Sequence, residues 1–247
     1  MLTRLTQIFG EKKEDKAQAA RFFEPAMDKG FKPVFETARK YTMTLPERMY
    51  NLYLATQYVA SRGIPGDLVE CGVWKGGSAM AMALTLLGMG DKSRTIYLYD
   101  TFEGMSRPSE KDVDYYGNTG EAIWVPELKE DHNAWAYCPL EEARRNLVST
   151  GYPEDKLKFV KGRAEETLAH TVPEKIAILR LDTDWYESTY QELVYLFPKL
   201  SPGGVLLVDD YGHWKGSKEA VDRYFKEKNV QMLLQRIDYA ARMGVKA

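Results

Sequence analysis

Three carboxylates, Asp182, Asp209 and Asp210, follow directly on two apolar runs, residues 176–181 and 204–208. If these runs are neighbouring strands of a parallel sheet, the three acids meet at its carboxyl edge. Such a cluster repels itself unless a cation sits in it, and hard divalent ions such as Mg2+ take oxygen ligands of this kind. The trio therefore reads as a metal site, open to hydrolysis, phosphoryl transfer or methyl transfer. Asp184 shares a side with Asp182 if the strand continues; otherwise it supports the metal or meets an acceptor. Asp182 is one candidate base. His213, four residues after Asp209, is another, or else a group supporting the metal or touching the acceptor. Trp185, Tyr186, Tyr211 and Trp214 flank these acids and offer flat walls to an acceptor, or pack as ordinary core.

A second group lies earlier, in DLVECGVWKGGSAMAM. Glu70 ends a short apolar run, and Gly72, Gly76 and Gly77 permit close backbone approach after it. Ser78 stands at a helix start, where its hydroxyl and the free amides hold a carboxylate or cap the helix. The spacing is not the G-x-G-x-x-G dinucleotide pattern. Asp100 ends the next run, RTIYLYD, where an acid accepts hydrogen bonds from both hydroxyls of a ribose. Gly162, Ala164 and Glu165, after a third run, are placed to edge an adenine ring, although Glu165 equally suits a helix N-terminus.

These residues need a frame that sets several strand ends side by side. Strand-like runs at 67–71, 95–99, 157–161, 176–181 and 204–208 alternate with helical patterns at 78–87, 164–171 and about 188–197. An earlier helix opens at Pro46-Glu47-Arg48 and stops at Gly63 and Pro65. Alternation of this kind predicts an α/β fold, a mostly parallel sheet with helices on both faces. Residues 1–40 read as a helical arm anchored by Phe22, Phe23 and Met27, and 41–247 as the main domain. Residues 104–140 break the pattern with Pro108, Pro126, Pro139, Trp124, Trp135 and His132, and read as a lid insertion whose histidine could touch substrate. Arm, lid and the tail RIDYAARMGVKA are expected to shape the acceptor pocket.

With 247 residues and 44% hydrophobic content the chain can bury a full core. A net charge of -2 carries no basic footprint, which points to a small-molecule partner and away from nucleic acid. Cys71 and Cys138 stand at unrelated spacing and suggest neither a disulfide framework nor a zinc site. No run of about 20 apolar residues suits a membrane span, and the N-terminus shows no cleavage pattern, so the cytoplasm is the expected compartment.

The segments YTMT, IPGDLVECGVWKGGS, YLYDTFEGM, LRLDTDWYEST and LSPGGVLLVDDYGHWKGSKEAVDRYF together resemble the macrocin O-methyltransferase family, whose members methylate hydroxyls on sugars and aromatic rings of natural products. The resemblance spans about residues 41–225. It implies a Rossmann-like class I methyltransferase fold with a seven-stranded sheet, S-adenosylmethionine as methyl donor, Mg2+ dependence and a homodimer or higher homo-oligomer. It also implies that Glu70, Gly72, Gly76, Gly77 and Ser78 contact the methionine part of the donor, with Tyr41, Thr42 and Met43 beside it and Trp74 among the donor-binding residues. By the same resemblance Asp100 binds ribose with Thr101 and Phe102 nearby, Asp182, Asp209 and Asp210 hold the metal, and Asp182 doubles as base. The family commonly reads LDGDLYEST where this chain has LDTDWYEST, and the arm and insertion do not align, which leaves the acceptor open.

Methyl transfer from a sulfonium to a hydroxyl is an in-line displacement, so oxygen, methyl carbon and sulfur must be aligned and the oxygen made nucleophilic. A divalent ion beside Asp182 suits both needs. The expectation is a Mg2+-assisted O-methyltransferase acting on a sugar or phenolic hydroxyl. A metal-dependent hydrolase is the first alternative, and it lacks a G-x-S-x-G elbow. A catalytically silent nucleotide-binding protein is the second, and it has no use for clustered charge.

Overall fold

The apolar runs form one seven-stranded sheet of order β3-β2-β1-β4-β5-β7-β6 in a computed structural model that describes residues 27–247. Strands β1 (Asp67–Cys71), β2 (Ile96–Asp100), β3 (Leu157–Lys161), β4 (Ile176–Leu181) and β5 (Leu200–Val208) run parallel. The C-terminal tail, expected only to shape a pocket, adds β6 (Gln235–Arg236) and β7 (Arg242–Val245), with β7 antiparallel to β5. Strand order reverses between β1 and β4, and the crevice beyond the carboxyl ends of such a pair is where open α/β sheets bind ligands.

The strands read as unbroken apolar runs because both faces of the sheet are covered. Alternate residues serve the two sides. Leu68, Leu98, Ile178 and Leu207 face a core shared with α1 (Phe31–Ala38), α2 (Pro46–Ser61), α3 (Gly77–Gly88) and α5 (Leu140–Val148). Val69, Tyr99, Leu179 and Leu206 face a second core shared with α6 (Ala164–Thr167), α7 (Tyr186–Leu196) and α8 (Lys215–Glu227). The helix expected over 164–171 is only one turn long, and β5 begins at Leu200, ahead of Gly204. Of the expected N-terminal arm, residues 1–26 lie outside the described residues; α1 packs against α3.

The 104–140 insertion, which carries α4 (Gly120–Trp124), is tied down at several points. Asp112, 1% exposed, accepts the Tyr186 amide at 2.7 Å and so caps α7 from outside that helix. Trp185 Nε1 donates to Ser106 O at 2.9 Å, and Lys215 N donates to Val113 O at 2.9 Å. Trp135 of the insertion packs its ring against Trp185 and Trp214, with centroids 5.5 and 6.2 Å away. Tight passage at its base requires glycine: a Cβ on Gly104, φ +83°, would stand 1.8 Å from Asn133 O. Among the described residues no helix is long and apolar enough to cross a membrane.

Candidate active site

Parity along the strands puts Glu70 of β1 beside Arg180 of β4, which are register partners. Asp182 and Asp209 follow on the same side, since each lies two residues beyond a position on that face. This side is roofed by α2 and the segment before it. The result is a buried charge network with Arg180, 2% exposed, at its centre. Arg180 Nη1 donates to Glu70 Oε1 at 2.6 Å and reaches Asp182 Oδ2 at 2.7 Å. Nη2 donates to Asp209 Oδ1 at 2.9 Å and Thr44 Oγ1 at 3.0 Å. Arg48, in the first turn of α2, donates from Nη1 to Asp209 Oδ2 and from Nε to Asp238 Oδ2, both at 2.6 Å.

Asp209 therefore has both oxygens held by arginines. Burial opposes its ionisation, but Arg180 and then Arg48 outweigh that and keep its carboxyl below the usual range. Asp182, Asp209 and Asp210, the expected trio, all border one cavity. Among the described residues, Asp182, Asp184 and Asp210 are the acids that bring one oxygen each within 4.8 Å of one another. Asp184 joins them because the chain turns at φ +66° and does not continue as a strand. Burial pushes Asp182 and Asp210 well above the ordinary carboxylate range; Arg180 opposes this at Asp182, while Asp184 adds to it at Asp210. Asp184 is pushed up to about 7 by burial, with a hydrogen bond to Asp210 acting against it.

A cavity of about 190 Å3 opens above this network, lined among others by Thr42, Met43, Glu70, Gly72, Trp74, Ser78, Asp100 and all four aspartates 182, 184, 209 and 210. A smaller cavity of about 60 Å3 adjoins it across Gly72, Asp100 and Asp182, and is lined by Thr101, Gly162, Ala164 and Glu165. Gly72, φ +86°, makes the closest approach: a Cβ there would stand 2.0 Å from Asp182 O. Gly76, φ +90°, precedes α3, and Gly77 lets Tyr41 and Thr42 lie against the helix start, its Cβ otherwise 2.7 Å from that of Thr42. Thr42 and Thr44 hydroxyls approach Ser78 Oγ at 3.5 and 3.4 Å. Non-glycine residues with positive φ follow three of the strands, Trp74 after β1, Phe102 after β2 and Asp184 after β4. Backbone strain of this kind concentrates at functional sites.

Four of the expected residues, Phe102, Asp100, His213 and His132, have further partners. Phe102 is buried against Phe159, ring centroids 6.2 Å apart. Asp100 accepts the Val73 and Trp74 amides on Oδ2 at 2.7 and 2.9 Å and the Phe102 amide on Oδ1 at 2.7 Å, so it braces the loops after β1 and β2 while bordering both cavities. His213 lines neither cavity. The chain turns after β5, with His213 N donating to Asp210 O at 3.0 Å, and its ring lies edge-on to Trp214 and to Tyr239. Burial lowers its pKa, with Asp114 opposing. His132 stacks on Tyr137 in the insertion, centroids 4.0 Å apart.

The sequence reading missed Arg180, Arg48, Thr44 and Asp238. A lone arginine inside the apolar run ILRL was a signal, because such a residue is buried only when paired. Arg48 and Asp238 carry no such local mark.

The profile of the macrocin-O-methyltransferases matches residues 4–244 of the chain. It belongs to that family. The 8-demethyl-8-(2,3-dimethoxy-alpha-L-rhamnosyl)-tetracenomycin-C 4'-O-methyltransferase of Streptomyces olivaceus is 35% identical over 198 residues, 80% of this chain and 72% of that one. The demethyldecarbamoylnovobiocin O-methyltransferase of Streptomyces niveus is 33% identical over 201 residues, 81% and 74% of the two chains. The solved structure of the O-methyltransferase NovP superposes with a TM-score of 0.75 at 31% identity, covering 84% of this chain and 82% of its own. This macrocin-family protein is thus an S-adenosylmethionine-dependent O-methyltransferase of natural-product biosynthesis on a class I Rossmann-like fold.

The buried acids of the methyltransferase carry a pH signature. Burial pushes Glu192 on α7 up to about 8 from an ordinary 4.5. It likewise pushes Glu70 to about 7, with Arg180 opposing. A carboxyl that the fold keeps protonated, but that ionises freely once unfolded, contributes stability that is whole below about 4.5 and is lost as pH rises through its folded value. Without divalent cations, the melting temperature is expected to fall steadily from about pH 5 to about pH 8.5. A flat or rising profile would show these acids to be ionised and compensated in the fold.

Proposed function

We propose that this methyltransferase uses a divalent cation, of the Mg2+ type, to methylate a sugar hydroxyl on a glycosylated small molecule. The observation that carries the reading is the convergence of Asp182, Asp184 and Asp210 on the cavity that also holds Glu70 and Asp100. The residues fit both groups. Asp210 Oδ2 is buried without a hydrogen-bond partner beside two further carboxylates, an all-oxygen donor set suited to a hard cation. Glu70 Oε2 is likewise buried and unpartnered at the cavity wall, a ready acceptor for the ammonium of a methionine moiety.

The donor's carboxylate would meet the Thr42, Thr44 and Ser78 hydroxyls at the start of α3, where free amides favour an anion. Its ribose would lie against Asp100 and its adenine in the smaller cavity between Thr101 and Glu165. Asp182, 26% exposed to the cavity and pushed up in pKa, is placed to receive the hydroxyl proton of the acceptor. Trp135 and Met105 line the same cavity and would keep water from the methyl group's path. A divalent cation, when bound, supplies a lowered pKa for the hydroxyl and an offset for the charge developing on it. The sugar acceptor is supported by the relative named as the 4'-O-methyltransferase of a rhamnosyl-bearing tetracenomycin.

The test is methyl transfer from labelled donor to a panel of deoxysugar glycosides, catechols and simple phenols, with and without EDTA. Product on glycosides alone, lost in EDTA, is expected. Transfer confined to phenols would replace the sugar, and full activity in EDTA would remove the cation. Asp100→Ala is expected to weaken donor binding in calorimetry and to cost about 1–3 kcal/mol of stability, because it strands buried amides. Unchanged donor affinity would remove Asp100 from the ribose.

A further inference from the structure

The acceptor needs more room than the two cavities give. At about 190 and 60 Å3 they are smaller than the roughly 300–1,000 Å3 that small-molecule sites occupy, and the donor alone spreads across both in the reading above. The body of the acceptor must therefore lie beyond the rim. Strand order fixes the side. The donor groups stand around the ends of β1, β2 and β3, and the acids at the ends of β4 and β5; the next strand is β7. It runs antiparallel to β5 with Arg242 opposite Val208, so the loop that enters β7 lies beside Asp209 and Asp210, on the side away from the donor.

That loop presents Tyr239, 50% exposed. Its ring packs on Arg48, whose guanidinium carbon is 5.8 Å from the centroid and which itself lines the larger cavity. The phenol oxygen lies 3.4 Å from His213 Nδ1, and the two rings meet edge-on at 5.8 Å. Burial raises the phenol's pKa, with Arg48 opposing and Asp210 adding to the rise, which sets it within electrostatic reach of the acids. From His213 the rings continue back to the cavity, to Trp214 at 5.1 Å and from there at 6.2 Å to Trp135, which lines it.

The loop does not depend on this side chain for its shape. Asp238 Oδ1 accepts the Ala240 and Ala241 amides at 2.9 and 2.7 Å, its Oδ2 accepts Arg48 Nε, and Gly212 N donates to Ala240 O at 2.8 Å. The loop is pressed so closely on the turn after β5 that a Cβ on Gly212 would stand 2.1 Å from Tyr239 O. A half-exposed aromatic on so firm a support is pre-organised for a ligand, which lowers the cost of ordering it on binding. A flat ring with a hydroxyl at its edge suits a sugar: the face takes the C–H side of a pyranose, and the hydroxyl bonds one of its oxygens.

We propose that Tyr239, steadied by His213, forms the subsite that holds the sugar ring of the acceptor beside the hydroxyl being methylated. This rests on the sugar reading above. Tyr239 and His213 line neither cavity, so acceptor and donor affinities should separate.

The experiment uses the full chain with Mg2+, saturating S-adenosylhomocysteine and p-nitrophenyl α-L-rhamnopyranoside as probe. Saturation-transfer NMR reports separately on its sugar and nitrophenyl protons, and in wild type the sugar protons are expected to receive the saturation. Tyr239→Ala should weaken binding of the probe about 10- to 100-fold, and Tyr239→Phe, which keeps the ring and loses the hydroxyl, about 3- to 10-fold. S-adenosylhomocysteine affinity, measured by calorimetry without the probe, should be unchanged in both. Wild-type affinity for the probe in Tyr239→Ala overturns the subsite and leaves the sugar reading standing. A parallel loss of S-adenosylhomocysteine affinity also overturns it, by marking Tyr239 as a support of the fold. Saturation confined to the nitrophenyl protons, or a wild-type protein that does not bind the probe, overturns the sugar reading and the subsite with it.

Discussion

Replacing Arg180 with methionine is expected to destabilise the protein by about 3–5 kcal/mol, the scale on which breaking a buried ion pair costs stability. In a domain of this size that corresponds to a melting temperature lower by roughly 6–20 °C. The size of the effect follows from how many charges one guanidinium serves. Glu70, Asp182 and Asp209 all lean on it, and only Asp209 has a second cation, Arg48. Against the cost of burial, Asp182, Asp209 and Glu70 together keep Arg180 protonated. Without it the carboxyls can escape repulsion only by binding protons. The folded variant would then hold more protons than the unfolded chain, so its stability should recover as pH falls from about 8 to about 5. Adding Glu70→Gln should recover part of the loss at constant pH, because it removes one stranded charge. A variant that melts within about 2 °C of wild type would show the network to be dispensable.

The same arginine explains what was legible in the sequence and what was not. The parallel strands announced themselves because the central ones are buried on both faces and are therefore mostly apolar. Acids at the ends of such runs stood out for the same reason, which is why Glu70, Asp100, Asp182, Asp209 and Asp210 could be singled out from the sequence alone. Pairing across the sheet is a property of register and helix placement, and no local pattern encodes it. Asp209 and Asp210 look equivalent in sequence; the approach of Arg48 from α2, more than a hundred residues earlier, makes them different. The place of Asp184 depends on whether the strand continues, and the turn at φ +66° decides it. Thr183 and Trp185, the positions at which LDTDWYEST departs from the pattern it resembles, are the ones that anchor this turn to Glu192 and to the 104–140 insertion. The β6–β7 pair escaped notice because its strands are short and half exposed.

The distinction between Asp209 and Asp184 is open to a direct comparison of three variants. Asp184→Asn and Asp210→Asn each remove one negative oxygen from the cluster that the cavity exposes. Each is expected to lower kcat about 100- to 1,000-fold, the scale on which removing one preorganised electrostatic group from a transition state slows a reaction. Both should also shift the Mg2+ concentration needed for half activity upward, while leaving S-adenosylhomocysteine binding near its wild-type value. Asp209→Asn should behave in the opposite way. Its carboxylate neutralises Arg48 and Arg180 and offers the cavity no free oxygen, so its loss leaves two buried guanidinium groups short of charge. The melting temperature should drop with little change in the Mg2+ dependence of the remaining activity. If Asp209→Asn abolishes the Mg2+ response and Asp184→Asn keeps it, the cation lies on the Asp209 side and the arginines must give way when it binds. Charge arithmetic favours the first outcome. A cation beside Asp209 would face two guanidinium groups at hydrogen-bond range of the same carboxylate, whereas one among Asp182, Asp184 and Asp210 relieves repulsion that burial has already made costly.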